Sequence, residues 1–521
     1  MTDDRALNAV GGAPVLTARE VLALLADDFA PLPSPLADRP LSGDGPIGWP
    51  GYGAAHARAA ERTGEDESVV CGVGTVGTAP AVLVSFEFRF LGGSIGERTG
   101  ALLTAAHEHA RAQRLPLVVL VATGGSRMQE GMRALTQLQG AARQAALTRD
   151  AGLPQIAVLR DPTTGGGWAA VGASCDVVLA LPGSQVGFAG SRVRPPGADP
   201  AAYTAEAQYA HGHIDGIVPA AGLRDTLARW LTLLTRPAPG PVPPPGALGR
   251  EQGLPATGRE ALDRARHRDR PRAHAYLDAY FTHREAISGD RCGGVDHGML
   301  CGFGQRPDGL TVAYAAQCGT ATRPAGFRTA ARLVRLADRL GIPVLTLIDT
   351  PGAANDEAAE RGGAGPAIAD LFGAVASARV PLTGLLIGEG GSGGALALAA
   401  PGNTWATPDS YFSVLLPEAA AAVLKRDPDE IPATADQLHL RPQDLVELGA
   451  VQGVVPHRAD GERPSPGPWP VYTLDDLDFA DDLPAPPHLP APTHPTGPPH
   501  PTGPAAPPLP GKAGREPEAP R

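Results

Sequence analysis

Two glycine runs, each directly after an apolar segment, are the residues of this 521-residue chain best suited to chemistry. The first run ends the segment RDPTTGGG, and the second lies within GEGGSGG. Glycine has no reactive side chain, so the chemistry would come from backbone N–H groups, which a ligand can approach closely because no Cβ intervenes. N–H groups fixed at a helix start can bind a negative oxygen and stabilise an oxyanion during a reaction.

Both runs belong to an internal repeat, because matching residues recur at a constant spacing of 227 positions. The matching pairs are Pro116 and Pro343, Gly125 and Gly352, Pro154 and Pro381, and Gly166 and Gly393. The apolar segments LPLVVLVATGG and IPVLTLIDTPG fall in the same register. A period shared by glycines and apolar residues indicates two related domains, each with its own glycine turn.

The elements that must position these turns follow a β/α pattern. Residues 116–122 and 343–348 are apolar and partly β-branched, which predicts buried strands, and 153–159 and 382–387 predict the next strands. In the first copy a helix is expected between the two strands, with one apolar face that carries Met132, Leu135, Leu138, Ala142 and Ala146. Each second strand leads into its glycine run and a helix start, so the fold class is α/β.

Two side-chain motifs compete with the backbone interpretation. The segment Asp349-Thr350-Pro351-Gly352 is like the switch motif of a GTPase, but the chain has no GK[ST] phosphate-binding lysine, which excludes that class. The second run fits the G-x-S-x-G nucleophile elbow of a hydrolase, with Ser392 as the nucleophile. The first copy has Gly165 opposite Ser392, so a serine nucleophile would be missing from one of two related sites.

The backbone interpretation is a pair of oxyanion holes, one for each glycine turn. Removing one donor from such a site in known enzymes costs on the order of 3 kcal/mol of transition-state stabilisation. The alternative is that the glycines only allow a strand and a helix to pack closely. Two turns in the same register, each after a buried strand, favour function over packing alone.

Composition narrows the class of protein. The net charge of −11 argues against a nucleic-acid partner, which needs a clustered basic surface. Five widely spaced cysteines give no disulfide framework and indicate a reducing cytoplasm. No apolar stretch approaches the roughly 18 residues that cross a membrane, and no signal-peptide pattern is present at the N-terminus. We therefore expect a cytoplasmic protein without a membrane or nucleic-acid partner.

Five segments are predicted along the chain. Residues 1–60 form an N-terminal extension with a short helix capped by Thr17 and running to Phe29. Residues 61–235 and 259–480 form the two related domains. The Pro/Gly-rich segment 236–258 lacks the donors for regular structure and is expected to link them, and the Pro-rich tail 481–521 is expected to be disordered.

Longer motifs in both halves resemble one known pair of enzyme subunits. In the first half these are FLGGSIGERTG at 90–100, TGGSRMQEG at 123–131, RDPTTGGGWAA at 160–170 and GFAGSRV at 187–193. They resemble the β subunit of bacterial acetyl-CoA carboxylase carboxyltransferase. In the second half GFRTAARLVRLAD at 326–338, IDTPGA at 348–353 and GEGGSGGALALA at 388–399 resemble the α subunit. Both families belong to the crotonase-like superfamily, which accounts for the repeat.

The resemblance implies a fused β–α carboxyltransferase with two crotonase-like β/α spiral domains. It would move a carboxyl group from carboxybiotin to acetyl-CoA and form malonyl-CoA, for fatty-acid or polyketide synthesis. Lys425 and Lys512 are the only lysines, and neither lies between methionines as a biotinylated lysine does. Biotin would therefore arrive on a separate carrier protein, after a separate biotin carboxylase has carboxylated it. No metal is implied, and the resemblance also implies a homodimer or higher oligomer with sites shared between protomers.

Site residues follow from the same resemblance. Gly166 and Gly167 would hold the thioester carbonyl, and Gly394 and Ala395 the ureido oxygen of biotin. The expected substrate-binding positions at the two turns are Gly124, Gly125, Gly352, Ala353 and Gly393. Arg127 would meet the phosphates of CoA, unless it forms an i,i+3 pair with Glu130 on the helix surface.

The chain departs from these families in several places. The zinc ribbon of the bacterial β subunit is missing, since the first cysteine is Cys71. Cys292, His297 and Cys301 have only a loose zinc-ligand spacing. Cys318 stands where α subunits commonly have lysine. Two alternatives to the carboxyltransferase therefore remain: a biotin-independent decarboxylase of malonyl thioesters, and a non-catalytic partner that binds CoA.

Overall fold

A computed structural model of the chain describes residues 16–36, 43–249 and 253–457. The predictions for the tail 481–521 and for the first fifteen residues concern parts outside these ranges. Within them the chain forms two β-sheets, one from each half, with helices packed against both. No helix in the described ranges is long and apolar enough to cross a membrane.

The first half forms an eight-stranded sheet with strand order β1-β2-β3-β4-β5-β6-β8, and β7 pairs with the end of β5. Its strands are β1 Phe29–Pro31, β2 Val69–Val76, β3 Ala79–Phe86, β4 Leu117–Thr123, β5 Gln155–Thr164, β6 Val177–Ala180, β7 Val186–Gly187 and β8 Gly216–Ile217. Its helices are α1 Ala18–Leu25, α2 Tyr52–Thr63, α3 Glu97–Gln113, α4 Met132–Asp150, α5 Gly165–Gly167, α6 Ala205–Ala210 and α7 Ala220–Thr235.

The second half forms a seven-stranded sheet of order β14-β13-β12-β11-β10-β9, and β15 pairs with the end of β13. Its strands are β9 His283–Ile287, β10 Met299–Gln305, β11 Thr311–Gln317, β12 Val344–Thr350, β13 Leu382–Gly391, β14 Thr404–Ala406 and β15 Tyr411–Ser413. Its helices are α8 Gly258–Arg266, α9 Ala273–Tyr280, α10 Pro324–Leu340, α11 Glu357–Arg361, α12 Ala364–Ser377, α13 Ser392–Leu396, α14 Pro417–Val423, α15 Ile431–Gln437 and α16 Pro442–Glu447.

The structure reproduces the sequence repeat element by element. Helix α3 and helix α10 differ by 227 positions at both ends, and so do β4 and β12, and β5 and β13. In each sheet the neighbouring parallel strands have an irregularity in register at the same place, between Val121 and Thr123 and between Ile348 and Thr350. Because these strands are parallel, their carboxyl ends and the glycine runs that follow lie at one edge of each sheet.

Two predictions about helices need correction. Helix α1 does have the capping box of Thr17 and Glu20, but it ends at Leu25, since Phe29 already pairs in β1. Helix α4 forms as predicted, yet its apolar face is not the core face. The side chain of Met132 is 68% exposed and that of Leu135 is 47% exposed. The helix instead buries three alanines together with Gln144 and Thr148, whose side chains bond to helix α3.

The segment predicted as a linker lies against the second half. Helix α7 ends at Thr235 and α8 begins at Gly258, with no helix or strand in the described residues between them. Ala238, Val242 and Ala247 are nevertheless buried. The hydroxyls of Thr383 and Tyr280 donate hydrogen bonds to the carbonyls of Val242 and Pro243, at 2.7 Å and 2.9 Å. Proline removes N–H donors, and here the carbonyls of the segment hold it to the fold.

The two halves share a hydrophobic core and a buried ion cluster. Trp230 of α7 packs edge-on against Phe303 of β10, with ring centroids 6.2 Å apart. Asp215, at the end of the first half, accepts hydrogen bonds from Arg291 at 2.5 Å and Arg332 at 2.7 Å, both in the second half. Burial alone would raise the pKa of Asp215, but the two guanidinium groups hold it below its usual range.

We expect Asp215→Asn to lower the free energy of unfolding by about 3–5 kcal/mol near pH 7, because it leaves two arginines without their buried counter-ion. A depressed carboxylate pKa stabilises the fold above the ordinary value of about 3.9 and loses that effect as the pH falls through the folded value, so the difference from wild type should narrow in acid. Urea unfolding near pH 7 and near pH 3 measures both effects.

The matched control is Glu357→Gln, which breaks an exposed pair with Arg361 and should change stability little. Equal stability losses for the two variants would contradict a role of Asp215 in joining the halves.

Candidate active site

The first glycine turn brings the end of β4 against the start of α5. Gly125 has a left-handed φ of 102°, and a Cβ built on it would lie 3.4 Å from the amide nitrogen of Gly166. The amide of Gly125 donates to the hydroxyl of Thr123 at 3.0 Å, and the amide of Gly124 to the carbonyl of Gly92 at 2.9 Å. The turn therefore fixes one backbone segment directly beside another.

The second glycine turn has the same construction. Gly352 has a φ of 142°, and its amide donates to the hydroxyl of Thr350 at 3.1 Å. A Cβ on Gly394 would lie 2.4 Å from the amide nitrogen of Ala353, and a Cβ on Gly391 would lie 1.9 Å from the carbonyl oxygen of Pro351. Only glycine permits this approach.

The helix starts correspond position by position. Gly166 and Gly167 occupy the second and third positions of α5, and Gly393 and Gly394 the same positions of α13. In each pair the first glycine is partly exposed and the second is buried. Apart from bonds inside the helices, none of these four amides donates to a described residue. First-turn amides have no i−4 carbonyl to bind, so they are suited to an external oxygen.

Ala395 lies one position beyond this matched pair and is fully buried. As the fourth residue of α13 it corresponds to Trp168, and a fourth amide can bond to the carbonyl of the N-cap. The register of the fold therefore favours Gly393 with Gly394, rather than Gly394 with Ala395, as the counterpart of Gly166 and Gly167.

Ser392, the candidate nucleophile, is exposed and has a left-handed φ of 54°. Gly165 has the equivalent φ of 63° in the first turn, so the strained conformation belongs to the turn geometry of both copies. The hydroxyl of Ser392 has no hydrogen bond to a histidine or carboxylate among the described residues. A serine nucleophile needs such a base. The backbone of Ser392 thus serves the turn, and its side chain has no partner for catalysis within the described ranges.

Arg127, expected at the phosphates of CoA, is buried below the first turn, with its side chain 0% exposed. Its guanidinium donates to Glu67 at 3.0 Å, to Glu130 at 3.2 Å and to the hydroxyl of Tyr52 at 3.1 Å. The alternative pair with Glu130 does form, but it lies in the interior and not on the helix surface. This placement leaves no exposed donor for a phosphate and favours a structural role.

The charges around Arg127 are strongly coupled. Burial would raise the pKa of Glu67, but the Arg127 charge and hydrogen bonds from Arg127 and the backbone amide of Ser68 hold it well below its usual range. The backbone of Arg127 also donates to Ile95, which in turn donates to Gly125, at 2.9 Å and 2.8 Å. The arginine therefore joins the loop at 91–96 to the first glycine turn.

A different ion pair supports the second turn. Both carboxylate oxygens of Asp349, the last-but-one residue of β12, accept from one terminal nitrogen of Arg270 at 2.9 Å, and one of them also accepts from Arg272 at 3.3 Å. Burial dominates at this carboxyl and raises the pKa of Asp349 above its usual value, although both arginines oppose the shift. Arg270 also donates to the carbonyl of Ile387 at 2.7 Å, so it joins β12 to β13.

Sequence reasoning missed several residues near the turns. Glu67 and Arg270 lie far from their partners along the chain, at separations of 60 and 79 residues, so no local spacing could reveal the pairs. Leu138 packs partly buried against the core, as predicted, but its contact with the turn was not foreseen: a Cβ on Gly166 would lie 2.2 Å from its Cδ1 atom. The only sequence feature that pointed to this contact is that Leu138 follows the TGGSRMQEG motif by seven residues.

The cysteines that the sequence offered as possible zinc ligands or reactive thiols do not form such a site in the described residues. Among the described residues no three His, Cys, Asp or Glu side chains come together as a metal-ligand group. Cys301 is buried on β10, while Cys292 is exposed. Burial raises the pKa of the Cys318 thiol to about 11, so it is neutral where the related subunits commonly carry a lysine charge.

We expect Gly394→Ala to destabilise the protein by about 2 kcal/mol, because its Cβ would collide with the backbone of Ala353. Gly393→Ala should leave stability nearly unchanged, since no atom of the described residues lies within 4 Å of its Cβ and its φ is not left-handed. Thermal unfolding of the two variants provides the measurement. Equal stability of both would contradict the close packing of the second turn.

Comparisons with known proteins match both halves. The family described as carboxyl transferase domain matches residues 52–235, and the family described as acetyl co-enzyme A carboxylase carboxyltransferase-like matches residues 256–467. Among curated relatives, an acetyl-coenzyme A carboxylase carboxyl transferase subunits beta/alpha protein of Salinispora arenicola is 40% identical over 437 residues, covering 78% of this chain and 76% of the relative. The protein of the same description from Salinispora tropica is 38% identical over 436 residues, with the same shares covered.

Solved structures agree on the fold. The 12S transcarboxylase, a hexamer solved with hydrolysed methylmalonyl-coenzyme A, superposes with a TM-score of 0.68 at 22% identity, covering 85% of this chain and 87% of that one. The predicted α/β fold class, with two related β/α domains, is therefore confirmed. The chain belongs to the acetyl-coenzyme A carboxylase carboxyl transferase family, with its beta and alpha parts fused, and it is a carboxyltransferase.

Proposed function

We propose that this carboxyltransferase converts acetyl-CoA to malonyl-CoA with a carboxyl group delivered by biotin on a separate carrier protein. The observation that carries the proposal is the pair of glycine turns with equivalent helix-start amides. Carboxyl transfer between a thioester and biotin involves two oxygens that become negative, one on each reactant. Two matched sets of backbone donors suit that requirement, and one set alone would not.

The chain's own residues bind and orient in this proposal, and no side-chain base is assigned. Gly166 and Gly167 would donate to the thioester carbonyl oxygen, and Gly393 and Gly394 to the ureido oxygen of biotin. Gly124, Gly125, Gly352 and Ala353 would fix the backbone beside these donors. The open space next to Gly393 suits the approach of a planar group, because in the described part of the chain no atom lies within 4 Å of a Cβ placed there.

Substrate and partners follow from the relatives and from this chain's lysines. The fused relatives are named for acetyl-coenzyme A carboxylase, which supports acetyl-CoA as the acceptor. Neither Lys425 nor Lys512 has the methionine neighbours of a biotinylated lysine. We infer that carboxybiotin comes from a carrier protein, and that a separate biotin carboxylase forms it. When bound, carboxybiotin supplies the carboxyl group that is transferred.

The reverse reaction tests the function. Purified protein incubated with malonyl-CoA and biocytin should release acetyl-CoA, and the same mixture without biocytin should release little. Release at the same rate without biocytin would instead indicate a malonyl decarboxylase, and no turnover in either mixture would indicate a non-catalytic subunit. A parallel assay with methylmalonyl-CoA reports the preference between acetyl and propionyl thioesters.

We also propose that each active site is shared between two copies of the chain. Large apolar side chains stand exposed around both turns. Phe188, whose carbonyl accepts from Gly165, is 74% exposed, and Met132 of α4 is 68% exposed. Beside the second turn Val414 is 76% exposed, directly after the strand β15 that pairs with Gly391. Exposed apolar surface of this kind is typical of interfaces, and its presence at both turns supports a contact between unlike halves of two protomers.

A mixed dimer tests the shared site. Gly124→Trp and Gly393→Trp each add bulk at one turn where a Cβ meets no close contact, so both proteins should fold. If sites are shared, a heterodimer of the two variants has one doubly blocked and one intact site, and should recover about half of wild-type activity. Two affinity tags isolate the heterodimer, and each homodimer serves as control. A heterodimer as inactive as its parents would mean that each site lies within one chain.

A further inference from the structure

A cleft of about 360 Å³ between the two halves has a lining rich in arginine. Residues 149 and 173–176 of the first half meet residues of α10 across it. Its arginines are Arg149, Arg291, Arg332, Arg335 and Arg339, and Asp176 is the one carboxylate among the described residues that line it. This concentration of positive charge contrasts with the net charge of −11 for the chain.

Three of the arginines form ion pairs with buried carboxylates of the protein. Arg291 and Arg332 hold Asp215, and Arg339 donates to Asp176 at 2.6 Å. Their side chains are each 20% exposed or less. They join the halves and form the wall of the cleft, and their charges raise the potential within it.

The other two arginines are more exposed and come from opposite sides. Arg149 of α4 is 39% exposed, and it donates to the carbonyl of Ser174 at 2.6 Å while its Nε atom is 3.9 Å from Asp176. Arg335 of α10 is 54% exposed, and its two terminal nitrogens bond to Asp370. The Nε atom of each has no hydrogen bond to a described residue, so both guanidinium groups retain donors for a ligand.

The balance of charge favours an anionic ligand with at least two charges. Five guanidinium groups face three carboxylates, those of Asp176, Asp215 and Asp370, which leaves a surplus of two positive charges. Burial raises the pKa of the Cys175 thiol in the lining to about 12, so it adds no negative charge. The volume is within the range of small-ligand sites and exceeds what a single ion needs.

We propose that this arginine cleft binds the diphosphate group of a small organic phosphate, with Arg149 and Arg335 as its ligands from the two halves. Guanidinium groups bind phosphate oxygens through paired N–H donors, which suits two arginines that face one cleft. The cleft also adjoins the catalytic machinery through one short segment. Helix α5 starts at the first glycine turn, continues as the π-helical turn Trp168–Gly172, and ends at residues 173–175 in the lining. The proposal concerns binding and does not depend on the proposed reaction.

Calorimetry with inorganic pyrophosphate tests the site directly. We expect saturable binding with one site per chain, and an affinity about tenfold weaker in the double variant Arg149→Gln/Arg335→Gln. The control Arg268→Gln/Arg361→Gln removes the same charge from side chains that are 91% and 78% exposed elsewhere, and should bind as wild type does. Thermal unfolding should show the same order, with pyrophosphate raising the melting temperature of wild type and control more than that of the cleft variant.

Two ligands distinguish the source of the diphosphate. ADP binding that the cleft variant weakens, with CoA stoichiometry unchanged, would identify a nucleoside diphosphate. A second CoA per chain that the cleft variant loses would identify CoA itself. Absence of saturable pyrophosphate binding in wild type, or equal weakening in the cleft variant and the control, would overturn the proposal.

Discussion

The structure depends on one constraint: at two places a strand end and a helix start must meet backbone against backbone. At the second turn a Cβ on Gly391 or Gly394 would come within 1.9 Å and 2.4 Å of the backbone at residues 351 and 353. The equivalent glycines of the two strand ends approach the next backbone equally, since a Cβ would lie 3.4 Å from it on Gly125 and 3.5 Å from it on Gly352. Only this contact leaves helix-start amides fixed in place and unobstructed, which is the property that binds a negative oxygen. The parallel strands, the shared irregularity in their register and the short helices all serve that contact.

Each turn is held from below by buried charge, but the two copies use different residues. At the first turn Arg127 donates hydrogen bonds to Glu67, Glu130 and Tyr52. At the second turn Asp349 accepts them from Arg270 and Arg272. A buried ion pair often adds little net stability compared with apolar packing, and its value lies in a fixed geometry. The repeat has therefore kept the backbone arrangement and exchanged the side chains that support it. This difference explains why the motifs around the two turns look unrelated except for their glycines.

The sequence predicted the elements that repeat and missed the contacts that do not. The constant spacing of 227 positions located β4 with β12 and β5 with β13 to within a few residues, because buried parallel strands are read as apolar runs. Both glycine turns followed from the same spacing. The burial of Arg127 could not be predicted, since its main partner Glu67 is 60 residues away. The path of the proline-rich segment was also hidden, because it is held by backbone carbonyls and amides, which are no recognisable side-chain pattern.

The error on helix α4 carries the most information about the assembly. Its apolar stripe has the correct helical period, but the buried side chains are mostly alanines and polar residues, while Met132 and Leu135 are exposed. Periodicity reports that a face is apolar and cannot report what covers it. Leu138 of the stripe lies against Gly166 of the first glycine turn, and Phe188, whose carbonyl accepts from Gly165, adds a second exposed apolar side chain to that turn. Exposed apolar side chains therefore lie beside both sets of helix-start amides. The simplest explanation is that the surface of one half is covered by the other half of a second copy.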